Sequence, residues 1–83
     1  MPKVVVYTTP YCPYCLRAKL LLKNKSVAFE EVDVSDDDKR DELVERTNWR
    51  TVPQIFIGEE FVGGYDELQS LEDDGKLDEM LAA

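Results

Sequence analysis

An uncharged extended run, Val4-Val5-Val6-Tyr7-Thr8, gives way to helical periodicity from Pro13 to about Lys25, and a second extended run follows from Val27 to Val34, centred on Phe29 to Asp33. Strand, helix and strand in so short a span form a βαβ unit, which places the two strands parallel in one sheet. The β-branched, uncharged first run predicts a central strand buried on both faces. In the helical stretch Pro13 suits the first position, where its missing N–H costs nothing. Ala18, Leu21 and Leu22 share an inward face with Lys19 and Lys23 directed away from it, while Leu16 and Leu20 widen the apolar surface.

The remaining chain continues the alternation. Ser35-Asp36-Asp37-Asp38 predicts a helix start with Ser35 as N-cap and three acids suited to the dipole. That helix extends to about Thr47 with Leu43, Val44 and Thr47 inward, and Asn48 suits a left-handed cap. Thr51-Val52-Pro53 leads into a strand, Gln54-Ile55-Phe56-Ile57; Gly58-Glu59-Glu60 turns, Phe61-Val62 returns as a hairpin, and Gly63-Gly64 ends it. Tyr65 to Asp74 reads helical through Leu68 and Leu71 and stops at Gly75. Leu77, Met80 and Leu81 define a last short helix. The expected fold is α/β, with the order βαβαββα plus a terminal helix around one mixed four-stranded sheet. At 83 residues the chain suits one domain spanning 1–83, since a second core would need far more length.

Charge narrows the function. The net charge is −8, which speaks against nonspecific nucleic-acid binding. No apolar stretch approaches the roughly 18 residues of a membrane span. Met1-Pro2-Lys3 leads straight into the first strand without a signal-peptide pattern, so a cytoplasmic location is expected. Residues 1–29 contain five basic residues and no acid, whereas the other five basic and all eighteen acidic residues leave −13 for the rest. Arg17, Lys19, Lys23 and Lys25 thus make the first helix basic, which favours a thiolate and anionic ligands.

Both cysteines lie at the first strand-to-helix junction, in Pro10-Tyr11-Cys12-Pro13-Tyr14-Cys15. In a reducing compartment such a pair is more often catalytic or metal-binding than structural. Zinc usually takes four ligands, and this chain has two Cys and no His, so one molecule cannot close a site. Thiol–disulfide exchange remains. Cys12 precedes the helix, where unpaired N–H groups and the positive dipole end stabilise an anion. Cys15, nearly one turn inside and on the same side, is placed to resolve a mixed disulfide formed at Cys12.

At three places the chain resembles the dithiol glutaredoxins. Cys12-Pro13-Tyr14-Cys15 matches their active-site motif, Thr51-Val52-Pro53 with Gln54-Ile55-Phe56-Ile57 is similar to their second signature, and Gly63-Gly64-Tyr65-Asp66-Glu67-Leu68 to their third. The resemblance implies a thioredoxin-like fold. It also implies glutathione as co-substrate, no metal, and reduction of protein disulfides and glutathione mixed disulfides by a monomer. By the same resemblance Pro53 is cis, so that the Val52 backbone pairs with the cysteinyl part of glutathione beside Cys12. Gly64, Tyr65 and Asp66 would hold the γ-glutamyl end, with Asp66 also facing its ammonium; Tyr14, Arg50 and Thr51 complete the glutathione-binding set. A glycine pair before a helix start offers N–H groups to a carboxylate on physical grounds as well; a plain turn with Asp66 as helix cap is the simpler alternative.

The sequence also departs from the family. Thr9 stands three residues before Cys12, where many members carry a Lys that holds the glycyl carboxylate, and Arg50 and Arg40 are the candidates to supply that charge. Asn48 replaces a frequent Gly and Tyr65 a frequent Cys, and Trp49 has only a packing role assigned. Two rival functions stand beside the first. One is a thioredoxin-like electron donor with little use for glutathione. The other is a dimer binding an iron–sulfur cluster with glutathione, which the stiffening Pro13 disfavours. A binding module without chemistry leaves the paired thiols unexplained.

Overall fold

Parallel pairing of the first two strands follows the βαβ pattern. Val4–Thr8 (β1) lies beside Glu30–Asp33 (β2), with Val5 opposite Glu30 and Thr8 opposite Asp33, and Pro13–Asn24 (α1) makes the crossover. The computed structural model describes residues 2–82. It continues with Asp37–Thr47 (α2), Gln54–Ile57 (β3), Glu60–Gly63 (β4), Tyr65–Asp73 (α3) and Lys76–Ala82 (α4). β1 pairs antiparallel with β3, and β3 with β4, giving one mixed sheet of order β2-β1-β3-β4. This is the α/β order the sequence predicts.

The sheet is covered unequally. Val4, Val6, Ile55 and Ile57 on one face join Ala18 and Leu22 of α1, Leu68 of α3, and Leu77 and Leu81 of α4 in the main core. Each Val, Ile or Leu among them contributes about 1.5–3 kcal/mol by leaving water. On the other face Tyr7 and Phe56 meet edge to face, with the Arg46 guanidinium of α2 above Phe56. A groove of about 590 Å³ lies between that face and α2, lined among others by Tyr7, Val32 and Leu43. The expectation that β1 is buried on both faces is therefore corrected: Val4, Val6 and Thr8 are buried, while Val5 and Tyr7 are half-buried. A single helix does not seal the face it covers.

Local chemistry adjusts several ends. Asp36, not Ser35, caps α2, its carboxylate accepting from the Asp38 N–H at 3.3 Å. The Ser35 N–H is instead taken by the Asp33 carboxylate at 2.8 Å, so the cap moves one residue on. Asn48 has φ 55°, the left-handed geometry that Asn tolerates better than most residues. The left-handed cap expected at Asn48 is therefore present, its N–H bonded to the Val44 carbonyl at 2.7 Å. β4 begins at Glu60 and includes Gly63, so the turn contracts to Gly58-Glu59. On α1 the widened apolar surface is not used: Leu16 and Leu20 are exposed. Lys25, just past α1, ties the C-terminal helices together through Glu72 at 2.9 Å and Asp78 at 2.8 Å.

Candidate active site

Cys12 is the N-cap of α1, and its sulfur accepts the Cys15 N–H at 3.2 Å. One orphan amide of the helix start is thereby satisfied by sulfur, and the dipole favours negative charge there. As a thiol, Cys12 also donates to the Val52 carbonyl at 3.5 Å. The two cysteines are free, Cys12 half-buried and Cys15 buried at 1% exposure. Burial, and after it the hydrogen bond with Cys12, push the Cys15 thiol up to about 12. At neutral pH Cys15 is therefore a protonated thiol held behind Cys12, and the two groups carry different chemistry.

Val52 reaches the thiol because the chain after α2 is anchored from below. Gln54, 1% exposed, donates from Nε2 to the Trp49 carbonyl at 2.7 Å and accepts the Thr47 hydroxyl at 2.8 Å on Oε1. A buried amide is costly unless both its ends are paired, and here both are. Gln54 thus ties the stretch from Asn48 to Pro53 to the start of β3, and the Val52–Pro53 peptide bond is cis. No role was read for Gln54 in the sequence. A polar residue opening an otherwise apolar strand is the signal that marks it.

The third motif closes the far side. Gly63, at φ 116°, adopts a conformation open to glycine, and a Cβ there would meet Glu67 Cγ at 3.0 Å,. The Gly64 N–H donates to Glu67 Oε1 at 2.8 Å. It is therefore not free for a ligand, and Tyr65 and Asp66 supply the N–H groups that open α3. Gly64 is the N-cap of α3 and Asp66 lies in the first turn, so the alternative of Asp66 as the cap does not hold. Glu67 was not singled out as a site residue, although its position three after the N-cap has capping-box spacing.

Between these segments runs a groove of about 330 Å³ lined by Tyr14, Trp49, Thr51, Val52, Pro53, Gly64, Tyr65, Asp66 and Glu67. Its volume is at the small end of ligand sites. The structure thus brings together seven of the expected binding residues, all but Arg50. Arg50 is exposed just before Thr51, and Arg40 is half-buried on α2; neither lines the groove. Trp49 belongs to the lining, packs edge to face on Phe61, and holds a buried Nε1–H with no partner among the described residues. This groove is tied to the thiols through Val52, whose carbonyl accepts from Cys12. No residue lining the larger groove beneath α2 hydrogen-bonds to either thiol among the described residues, so chemistry and not size locates the site. Among the described residues no cluster of three or more metal-ligating side chains is present.

Beside β1, a small polar cluster joins α1 to β2. Glu31 Oε2 accepts from the buried Thr8 hydroxyl at 2.8 Å and from Lys19 Nζ at 3.0 Å. These contacts, the Thr8 bond first, hold the Glu31 carboxyl below its ordinary range.

A thiol pair at the start of the first helix, a neighbouring cis-proline loop and a four-stranded sheet define a thiol–disulfide oxidoreductase of thioredoxin-like fold. Comparison with known proteins narrows that class. The family model for glutaredoxin matches residues 4–62. A glutaredoxin of Pseudomonas aeruginosa is 52% identical over 84 residues, covering 100% of each chain. The crystal structure of a buckwheat glutaredoxin–glutathione complex superposes with a TM-score of 0.90 at 33% identity, over 98% of this chain and 77% of that one. The solution structure of glutaredoxin from Brucella melitensis gives 0.88 at 52% identity, over 98% and 89%. The chain belongs to the glutaredoxin family of glutathione-dependent thiol–disulfide oxidoreductases.

Proposed function

We propose that residues 1–83 act as a single, monomeric, cytoplasmic domain that uses glutathione as co-substrate and no metal to reduce protein disulfides and glutathionylated proteins, contributing to electron transfer and redox homeostasis. The observation that carries this reading is the half-buried Cys12 sulfur beside the Val52 carbonyl and the groove, with buried Cys15 behind it. The buckwheat relative, solved with glutathione, supports the same ligand here.

The chemistry balances in two routes. With a glutathione mixed disulfide, the Cys12 thiolate attacks the glutathione sulfur, the old S–S bond breaks, and the substrate leaves as its thiolate. A second glutathione thiolate then attacks the Cys12–glutathione bond, regenerating Cys12 and releasing oxidised glutathione. With a protein disulfide, the mixed disulfide at Cys12 is resolved by Cys15, which gives up its proton and forms the Cys12–Cys15 bond. Two glutathione molecules then restore the dithiol: one opens the Cys12–Cys15 bond to a Cys12–glutathione mixed disulfide, and the second attacks the glutathione sulfur, releasing Cys12 and oxidised glutathione. Glutathione carries two carboxylates and an ammonium. The amides of Tyr65 and Asp66 suit the γ-glutamyl carboxylate, the Asp66 carboxylate suits the ammonium, and Val52 pairs with the cysteinyl backbone. Tyr14, Thr51, Pro53 and Gly64 shape the groove, and Arg50 supplies positive charge at the Thr51 edge toward the glycyl carboxylate.

The test is turnover of a cysteine–glutathione mixed disulfide, coupled to glutathione and glutathione reductase. Cys12→Ser is expected to lose more than about a thousandfold in rate, since the covalent route disappears. Cys15→Ser is expected to retain turnover. Activity persisting in Cys12→Ser would sink the reading, and a wild type that turns over only with a thioredoxin reductase in place of glutathione would favour the rival donor.

A further inference from the structure

All four large hydrophobic side chains that stand exposed among the described residues, Tyr11, Tyr14, Leu16 and Leu20, fall within ten consecutive positions around the thiols. Scattered singly they would need no explanation, but gathered beside a reactive group they form a contact surface. Tyr14 belongs to the groove. The other three do not: Tyr11 is 96% exposed next to Cys12, and Leu16 and Leu20 are 55% and 48% exposed. The Leu16 N–H donates to the Cys12 carbonyl at 3.2 Å, so Leu16 sits one turn beyond the thiol and Leu20 one turn further along the same stripe. α1 packs on α3 and the sheet through Ala18 and Leu22, on its other side.

Charge sets this ridge apart from the rest of the surface. Lys3, Lys19 and Lys25 are in ion pairs, whereas Arg17 and Lys23, both exposed on α1, are in none among the described residues. No acidic residue occurs before Glu30, and the chain beyond residue 29 carries −13. A basic partner would be drawn to that acidic remainder rather than to α1,. Residues 1–29, which include Cys12 and α1, hold five basic residues and no acid, so an acidic partner is attracted there, beside the sulfur,.

We infer that Tyr11 and the outward ridge of α1, Leu16 and Leu20 flanked by Arg17 and Lys23, dock protein substrates whose disulfide or glutathionylated cysteine lies among apolar and acidic residues. This rests on the dithiol reading above and specifies its substrate class. Apolar side chains of the partner cover the two leucines, its carboxylates meet Lys23 and Arg17, whose guanidinium lies over the Tyr14 ring, and its cysteine reaches Cys12 at the end of the stripe.

The test uses two synthetic peptides, each with one cysteine as its glutathione mixed disulfide, one rich in leucine and aspartate and the other with lysines replacing the aspartates. At low salt the wild type is expected to show about tenfold higher kcat/KM on the acidic peptide, an advantage that shrinks as salt screens the charges. The double variant Leu16→Ser/Leu20→Ser is expected to lose about tenfold in kcat/KM on that peptide, about 1.4 kcal/mol, and to keep its rate on the cysteine–glutathione mixed disulfide. Equal rates on the two peptides overturn the docking surface, as does an equal loss on the small substrate. Sedimentation showing a dimer that the leucine changes dissociate would make a second copy the occupant and overturn it too. Wild type inactive on the small mixed disulfide would sink the dithiol reading itself, whereas turnover without peptide preference sinks the docking surface alone.

Discussion

The inward and outward sides of α1 are built from similar residues and do opposite work. Inward, Cys15, Ala18 and Leu22 are at most 1% exposed; outward, Leu16 and Leu20 remain about half in water. Cys12 stands at the helix start where the sides meet, half-buried. The contrast shows that hydrophobicity alone does not decide which face of a helix packs. Register against the sheet and α3 does: Ala18 and Leu22 pack with Val4, Val6, Ile55 and Leu68, while Leu16 stays 55% exposed. Two thiols three residues apart thereby meet different surroundings. One is half-buried against the Val52 carbonyl at the edge of the groove, and the other is dehydrated and held protonated.

The largest test of this contrast compares two leucines two positions apart. Leu22→Ala is expected to destabilise the fold by about 2–5 kcal/mol, because it removes buried methyl groups and leaves a cavity. Leu20→Ala is expected to cost less than about 0.5 kcal/mol, as read from urea midpoints. A similar cost for both would mean that α1 packs in a different register.

A second test addresses the thiols under reducing conditions. An unfolded cysteine ionises near about 8.5, whereas buried Cys15 is pushed up to about 12. Its contribution to stability is therefore fully present below about pH 8.5, and is lost as pH rises from there toward about 12, where the unfolded chain releases a proton that the folded chain keeps. Wild type should lose more stability between about pH 7 and pH 10 than Cys15→Ser does. Parallel pH curves would show that Cys15 is not dehydrated.

The smallest effect lies where the two sides of α1 meet β2. Lys19 bridges to Glu31, whose carboxyl the Thr8 hydroxyl and Lys19 hold low. A carboxyl depressed on folding stabilises above its unfolded value of about 4.3 and loses that contribution as pH falls through its folded value. Glu31 is 43% exposed at its side chain, so solvent screening keeps the expected loss in Glu31→Gln at neutral pH under about 1 kcal/mol. The difference from wild type should vanish in acid; a constant difference would assign the effect to packing.

The sequence by itself determined the element order, the parallel first pair, the left-handed residue after α2 and the distinct places of Cys12 and Cys15. These follow from local periodicity, capping chemistry and the spacing of two residues on one helix. It misplaced the N-cap of α2, because Ser35 and Asp36 are both good caps and only the Asp33 side chain, folding back on the Ser35 amide, separates them. Only the tertiary structure decided that Gln54 anchors the loop beside Cys12, that Trp49 lines the groove while Arg50 stands outside it, and that Leu16 and Leu20 face water. Each of these depends on what lies across space from the residue, and a pattern along the chain does not specify the neighbour that a fold supplies.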